Sequence, residues 1–158
     1  MADQGERWYF LFITPDDKVE LNERLTKKLR NRFHLAEAHS PSEVCRWLSA
    51  ADIGLSAIPP LPSQKFRSPV KVGEYLLCGL PFITCRNVSE DDHWAEEKEV
   101  GIVVDELDLL SGKNIEKSVS DLIARDDLRS VCREVGLEYR SIERVHDAFT
   151  RALSSSYD

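Results

Sequence analysis

The sequence predicts an α/β fold, in which a parallel sheet of about five strands is flanked by helices in three layers. Apolar runs of strand length alternate with segments of helical periodicity along the chain. Proline and glycine mark the ends of several of these helical segments. Because strands that alternate with helices pair in parallel and are covered on both faces, the pattern favours one doubly covered sheet.

Five apolar runs carry the strand prediction, and helical patterns separate them. Leucine recurs at every fourth position from 21 to 29, which is typical of an amphipathic helix. Residues 40–43 form a capping box and predict a second helix start. Three more helices are predicted after the last strand, the final one beginning at Ser141. The predicted strands are residues 8–14, 33–38, 53–57, 82–85 and 100–104.

Length and charge narrow the possible functions. A chain of 158 residues has the size of one domain, so we expect a single domain over residues 1–158. The net charge of −7 argues against a broad contact with nucleic acid or an anionic membrane. A local group of basic residues would still attract a diphosphate. No stretch of the sequence is long and apolar enough to span a bilayer.

The cysteines predict reduced thiols in a cytoplasmic protein. They form no CxxC pair and share no metal-ligand spacing with the histidines, so we expect neither a metal site nor a cofactor. The chain reaches the strand-like run WYFLFIT almost at once, without a leader sequence, which suggests a fragment of a longer enzyme. The four cysteines are Cys45, Cys78, Cys85 and Cys132.

The helix predicted to begin at Ser68 and Pro69 is the candidate binding site. Ser68 is expected to cap this helix, and Gly79 to end it in a left-handed conformation. The helix follows the strand at 53–57, so its first turn should lie at the edge of the sheet where ligands bind. Free N–H groups there favour an anion, and Arg67 could contact a phosphate.

Two charged residues on this helix have two possible roles. Lys71 and Glu74 lie three positions apart and share a face. The Glu74 carboxylate could accept hydrogen bonds from a ribose diol, or the two could form a plain surface ion pair. Val70, Gly73 and Leu77 form another stripe, which we expect to pack on the sheet, with Gly73 allowing a backbone or a ligand to approach closely.

The run SPVKVGEYLLCGLPFI resembles the signature S-P-x-K-x-x-E-Y-x-x-x-G-x-P-V-I of GT-B glycosyltransferases. The likeness is greatest to the retaining enzymes of family 4, the glycosyl transferases group 1, which include sucrose and glycogen synthases and many bacterial polysaccharide transferases. The stretches VCRWLSAADIGLSAIPP and VGIVVD resemble flanking elements of the same family. The resemblance covers residues 8–153 and implies a Rossmann-like domain that forms one half of a GT-B fold.

The resemblance also implies roles for individual residues. Glu74 would hold the ribose hydroxyls of a UDP-, GDP- or ADP-sugar, and the loop near His39 would lie by the base. The complete enzyme would be a hexosyltransferase of polysaccharide or glycoconjugate synthesis, with an acceptor-binding N-terminal domain in the same or another chain. This chain alone would be inactive. The residues that would contact the nucleotide and its diphosphate are Arg67, Ser68, Pro69, Val70, Lys71 and Glu74.

The sequence departs from the family at two places. Many members have a glutamate near the sugar where this chain has Phe66. Members also carry an arginine and a lysine for the diphosphate on and after a strand that would precede residues 8–14. These departures leave an alternative open, namely a non-catalytic interaction or regulatory module that keeps the half-fold.

Other motifs give weaker hypotheses. His93 after two aspartates could serve a metal or catalysis, but a solvated acidic helix start is favoured. Asp16 and Asp17 after the first strand could mimic a receiver-type phosphoacceptor pocket, although the later motif does not fit that layout. Ser56 lacks the G-x-S-x-G elbow of a hydrolase. Trp47 is predicted to be a core residue.

Overall fold

The computed structural model of this chain describes residues 8–105 and 115–154. Every strand pair that it describes is parallel, and helices flank the strands, so the predicted α/β class is confirmed. All five predicted strands are present, in one sheet of two strands and one of three. The single five-stranded sheet stays a prediction. Residue contacts divide the chain into two compact units, Met1–Ala51 and Asp52–Asp158.

The first unit contains the two-stranded sheet and two helices. Phe10 pairs with Phe33 in the parallel ladder. Asp17 caps the first helix, because its Oδ1 accepts a hydrogen bond of 2.8 Å from the Val19 N–H. The elements are β1 Phe10–Ile13, α1 Lys18–Leu29, β2 Phe33–Ala36 and α2 Pro41–Leu48.

The predicted cap of α2 is confirmed with one difference. Ser40 Oγ accepts a hydrogen bond of 3.3 Å from the Glu43 N–H, as a capping box requires. The Glu43 carboxylate accepts a 2.7 Å bond from the N–H of His39, one residue before the position that a capping box uses. The contact fixes the backbone of the loop between β2 and α2.

The second unit contains the three-stranded sheet, in the order β3-β4-β5. The register of both ladders can be given at Phe82, which pairs with Gly54 of β3 on one side and with Gly101 of β5 on the other. A 3-10 helix, Pro62–Phe66, lies where the sequence predicts a loop. The remaining elements are β3 Gly54–Ser56, α3 Val70–Leu77, β4 Phe82–Cys85, α4 Asp91–Glu97, β5 Gly101–Val104, α5 Ile115–Ile123, α6 Leu128–Arg140 and α7 Ile142–Ser154.

The core of this unit forms where α3 and α6 pack against the sheet. Gly136 permits the contact between the helices, because a Cβ atom at this position would lie 2.8 Å from the backbone nitrogen of Leu77. The helices can therefore approach along their backbones, and the apolar residues between them lose contact with water. The buried cluster consists of Val72, Leu76, Phe82, Ala95, Val100, Leu128, Cys132 and Val135.

The end of α3 matches the prediction. Gly79 has a φ of +72°, which is strained for residues with a side chain. Its N–H donates to Leu76, and the N–H of Leu80 donates to Tyr75, which is the pair of bonds of a Schellman motif.

The start and the buried face of α3 differ from the prediction. The helix begins at Val70, Pro69 is its N-cap and no side chain caps it, so the expected cap by Ser68 is wrong. Gly73 is buried as expected, but Val70 is 78% exposed and the other buried residues are Val72 and Leu76, so the expected stripe is wrong at Val70. The reason is that α3 packs against α6 as well as the sheet, which turns a different face inward.

The last helix keeps an exposed apolar stripe. Ser141 Oγ accepts a weak bond of 3.4 Å from the Arg144 N–H, in agreement with the predicted cap. None of the described residues of α7 is buried. Among the described helices, none is both long and apolar enough to cross a membrane.

Candidate functional site

The candidate site lies beyond the carboxyl ends of β3 and β4, where ligands bind in parallel α/β folds. The chain after β3 forms the 3-10 helix and then α3, and the chain after β4 forms a loop that leads into α4. The two segments meet, because the Ser89 N–H donates a 3.2 Å bond to the Gln64 carbonyl. Both connections therefore contribute to one surface.

Arg140 holds the residue just before the N-cap of α3 through an ion pair and a hydrogen bond. One terminal nitrogen of Arg140 lies 2.7 Å from Asp91 Oδ1, and the other donates to Ser68 Oγ at 2.5 Å. Asp91 is fully buried and also accepts a 2.7 Å bond from Ser89 Oγ. Arg140 thus links the end of α6 to the residue before Pro69.

The environment of Asp91 raises the pKa of its carboxyl above the ordinary range. Burial is the largest cause, and the hydrogen bonds from Ser89 and Arg140 act in the opposite direction. The hydrogen bonds from Ser89 and Arg140 therefore favour the charged carboxylate and partly offset the cost of burying it.

Aromatic rings hold Arg140 from a second side. Its guanidinium carbon lies 4.8 Å from the centre of the Trp94 ring. Trp94 stacks in turn on Tyr139, with 4.6 Å between the ring centres. The guanidinium is therefore held in one orientation, and its Nε is buried without a hydrogen-bond partner among the described residues.

The first turn of α3 has open backbone donors. The N–H of Val72 donates to the Pro69 carbonyl at 3.1 Å. No described residue accepts a hydrogen bond from the N–H of Val70 or Lys71. Two N–H groups at the positive end of a helix form an anion site when they face the same group.

The two predicted cations beside this turn are exposed. Within the described part of the chain, neither Arg67 nor Lys71 has an acidic partner. The surface ion pair between Lys71 and Glu74, which the sequence left open, is absent from the described contacts. Among the described residues, Arg67 and Lys71 therefore carry unpaired positive charge beside Ser68 and Pro69, whereas the charge of Arg140 is paired with Asp91.

Glu74 lies one turn into α3 and is exposed, so its carboxylate can reach a ligand. The next residue has a structural role, because the Tyr75 hydroxyl donates a 3.2 Å bond to the Leu55 carbonyl. The Tyr75 ring also occupies the space that a Cβ of Gly54 would need. Burial is the main cause that raises the pKa of Tyr75, and the charge of Glu74 adds to it. Tyr75 therefore fixes α3, and with it Glu74, against β3.

His39, the residue predicted beside the base, belongs to the first unit. Its side chain is exposed, and its Nε2 lies 3.7 Å from a carboxylate oxygen of Glu37. The bond from its N–H to Glu43 fixes the loop backbone, and the ring itself projects into solvent. Its predicted contact with a base stays a prediction.

The structure gives a separate outcome for each of the weaker sequence hypotheses. The sequence favoured a solvated acidic helix start around His93. Asp91 is buried, so this interpretation is wrong for Asp91. The His93 side chain is exposed, and its Nε2 lies 3.5 Å from a carboxylate oxygen of Glu97. Asp17, one of the two aspartates considered for a receiver-type pocket, caps α1 with its side chain. Trp47 is half-buried, and its indole donates to the Glu37 carbonyl.

Sequence reasoning missed Arg140 and the role of Asp91. The only signal was indirect: Ser89 and Asp91 follow a predicted strand, at the edge where ligands bind. Arg140 follows the apolar stripe of α6 and carries no motif. Among the described residues, no three histidine, cysteine, aspartate or glutamate side chains are grouped to hold a metal ion.

The comparison with known proteins adds no assignment. No protein-family model matches the chain, and no curated protein sequence matches it.

Proposed function

We propose that this chain is the nucleotide-sugar-binding part of a GT-B glycosyltransferase, with the diphosphate bound at the start of α3. The observation that carries the proposal is the open first turn of α3, where two unpartnered N–H groups are accompanied by basic side chains. The motif SPVKVGEY supplies this turn and places Glu74 one turn further on. The proposal includes a Rossmann-like domain to which all five strands belong.

Each group in the proposed site has a distinct role. The N–H groups of Val70 and Lys71 donate to diphosphate oxygens, and the Arg67 and Lys71 side chains neutralise their charge. Arg140, paired with Asp91, holds Ser68 in place at the start of α3 through its hydrogen bond to the Ser68 hydroxyl. Glu74 accepts hydrogen bonds from the ribose hydroxyls.

The reaction would transfer a sugar from the nucleoside diphosphate to an acceptor. The carbon–oxygen bond between the sugar and the diphosphate breaks, and the departing diphosphate gains negative charge. The start of α3 stabilises that charge, while Glu74 positions the nucleotide. We propose that an acceptor-binding domain in the same or another chain completes the enzyme in the cytoplasm, and that this chain alone binds the nucleotide weakly and transfers nothing.

Nucleotide titration tests the proposal. We expect UDP, GDP or ADP to shift the amide resonances of residues 68–74 in NMR spectra of the labelled chain. Glu74→Ala should weaken binding about tenfold, because it removes hydrogen bonds to a charged group. Glu134→Ala, at an exposed position on α6, is the matched control and should bind normally.

The Arg67→Ala variant distinguishes the contribution of the diphosphate to binding from that of the nucleoside. This variant should weaken binding of the nucleoside diphosphate and leave the nucleoside alone unaffected, with Lys117→Ala as the exposed control. Unchanged spectra at millimolar nucleotide, or equal binding by the wild type and Glu74→Ala, would contradict the proposal.

A non-catalytic module is the second candidate. Phe66 supports it, because an apolar side chain that is 86% exposed stands where many family members have a glutamate near the sugar. A folded chain that binds none of the three nucleotides would favour this candidate.

A further inference from the structure

The segment from β3 to the first turn of α3 differs in charge from the rest of the chain. Residues 53–73 contain three basic residues, Lys65, Arg67 and Lys71, and no aspartate or glutamate. The whole chain has a net charge of −7. The segment is therefore a local positive region on an acidic protein.

The same segment exposes large apolar side chains. Phe66 is 86% exposed, Val70 78% and Leu61 57%. Leu61 precedes the 3-10 helix and Phe66 ends it, and at about 2 Å per residue this helix is only about 10 Å long. Apolar and basic side chains thus alternate over a short stretch of surface, which we call the 61–71 patch.

The patch has a defined backbone shape. Gln64 is held by the bond from the Ser89 N–H to its carbonyl, and Pro62 and Pro69 restrict the chain on either side. Little conformational entropy would therefore be lost when the patch binds a partner.

We propose that the 61–71 patch docks on the surface of a lipid bilayer that carries anionic phosphate headgroups. Phe66 and Val70 have most of their surface exposed, so both side chains are available to enter a bilayer. A bilayer requires no matching shape: the basic side chains pair with headgroups, and the apolar side chains enter the headgroup boundary.

A second exposed apolar surface allows a matched comparison. The stripe on α7 exposes Phe149 to 68%, but this helix carries Glu143 and Asp147 beside its two arginines. Its charges cancel, so it lacks the excess positive charge that favours an anionic surface. Phe149 is therefore the control for Phe66.

Vesicle partitioning tests the proposal. We expect the chain to sediment with phosphatidylcholine vesicles that contain phosphatidylserine, not with pure phosphatidylcholine vesicles, and to be released by salt. Phe66→Ser should lower the partition coefficient roughly tenfold and Lys65→Gln about fivefold, whereas Phe149→Ser should leave it unchanged. Soluble glycerophosphoserine should not compete, because a surface rather than a pocket binds.

Arg67, Val70 and Lys71 belong to both the patch and the proposed nucleotide site, so the vesicle test varies Phe66 and Lys65, which that site does not use. Phe66→Ser should still bind nucleotide, and Glu74→Ala should still partition onto vesicles. Equal binding to neutral vesicles, no binding to either kind, displacement by glycerophosphoserine, or a loss with Phe149→Ser equal to that with Phe66→Ser would overturn the proposal.

Discussion

The two compact units differ in how completely they bury their apolar residues. In the first unit, only Ala36 and Leu48 are buried hydrophobic residues among those described, whereas the second unit has fourteen. No described residue of α1 is buried, and β1 is half-buried along its length. Burial offsets the loss of chain entropy, so we infer that most of the stability resides in the second unit.

The largest expected effect comes from the core of the second unit. Leu76→Ala should lower the free energy of unfolding by about 2–5 kcal/mol, because it leaves a cavity between α3 and the sheet. Chemical denaturation followed by circular dichroism measures the change.

Leu25→Ala in α1 is the matched control in the first unit. Leu25 is only half-buried, so the loss should be below about 1 kcal/mol. Similar losses at the two positions would contradict the contrast between the units.

A buried thiol should make the second unit sensitive to alkaline pH. Burial raises the pKa of Cys132 to about 11. The unfolded chain ionises this thiol near its ordinary pKa, so the stabilisation is complete below that value and is lost as the pH rises toward 11. The loss should reach at most about 3 kcal/mol, at about 1.4 kcal/mol per pH unit.

Denaturant midpoints across alkaline pH measure this loss, and the difference between wild type and Cys132→Ala isolates the contribution of the thiol. Cys45→Ala is the control, since Cys45 is exposed. If Cys132→Ala keeps the full alkaline dependence, the thiol is not its source.

The contact between α3 and α6 gives the next effect. Gly136→Ala should lower the free energy of unfolding by roughly 1–2 kcal/mol, because the new Cβ would overlap the backbone of α3. Gly73→Ala should cost less, since its Cβ would approach Arg140 Cγ at 3.3 Å, a contact that a shift of a few tenths of an ångström relieves, and alanine favours a helix. Thermal unfolding of both variants measures the difference.

The smallest effect concerns the first unit alone. Asp17→Ala removes the cap of α1 and should cost about 1 kcal/mol. Hydrogen exchange should accelerate at the amides of α1 while those of β4 stay protected. Asp16→Ala is the neighbouring control, because its side chain does not cap the helix. Equal acceleration in β4 would indicate that the units unfold together.

Local signals in the sequence predicted most elements of the fold. Continuous apolar runs predicted the strands, and for β4 the predicted and observed bounds are the same, residues 82–85. The caps of α2 and α7 and the left-handed Gly79 were also predicted, because capping depends on a few neighbouring residues. The short 3-10 helix was missed because Pro62 and the two prolines before it are also typical of a loop.

The sequence by itself determined the parallel α/β class, the left-handed end of α3 at Gly79 and the basic residues around the start of that helix. Only the tertiary structure decided which face of α3 is buried and that Arg140 reaches Ser68 and the buried Asp91. The physical reason is sequence separation: a cap or an apolar stripe forms within a few residues, whereas Arg140 lies 49 positions from Asp91 and 72 from Ser68. Their contact exists because Gly136 lets α6 pack closely against α3.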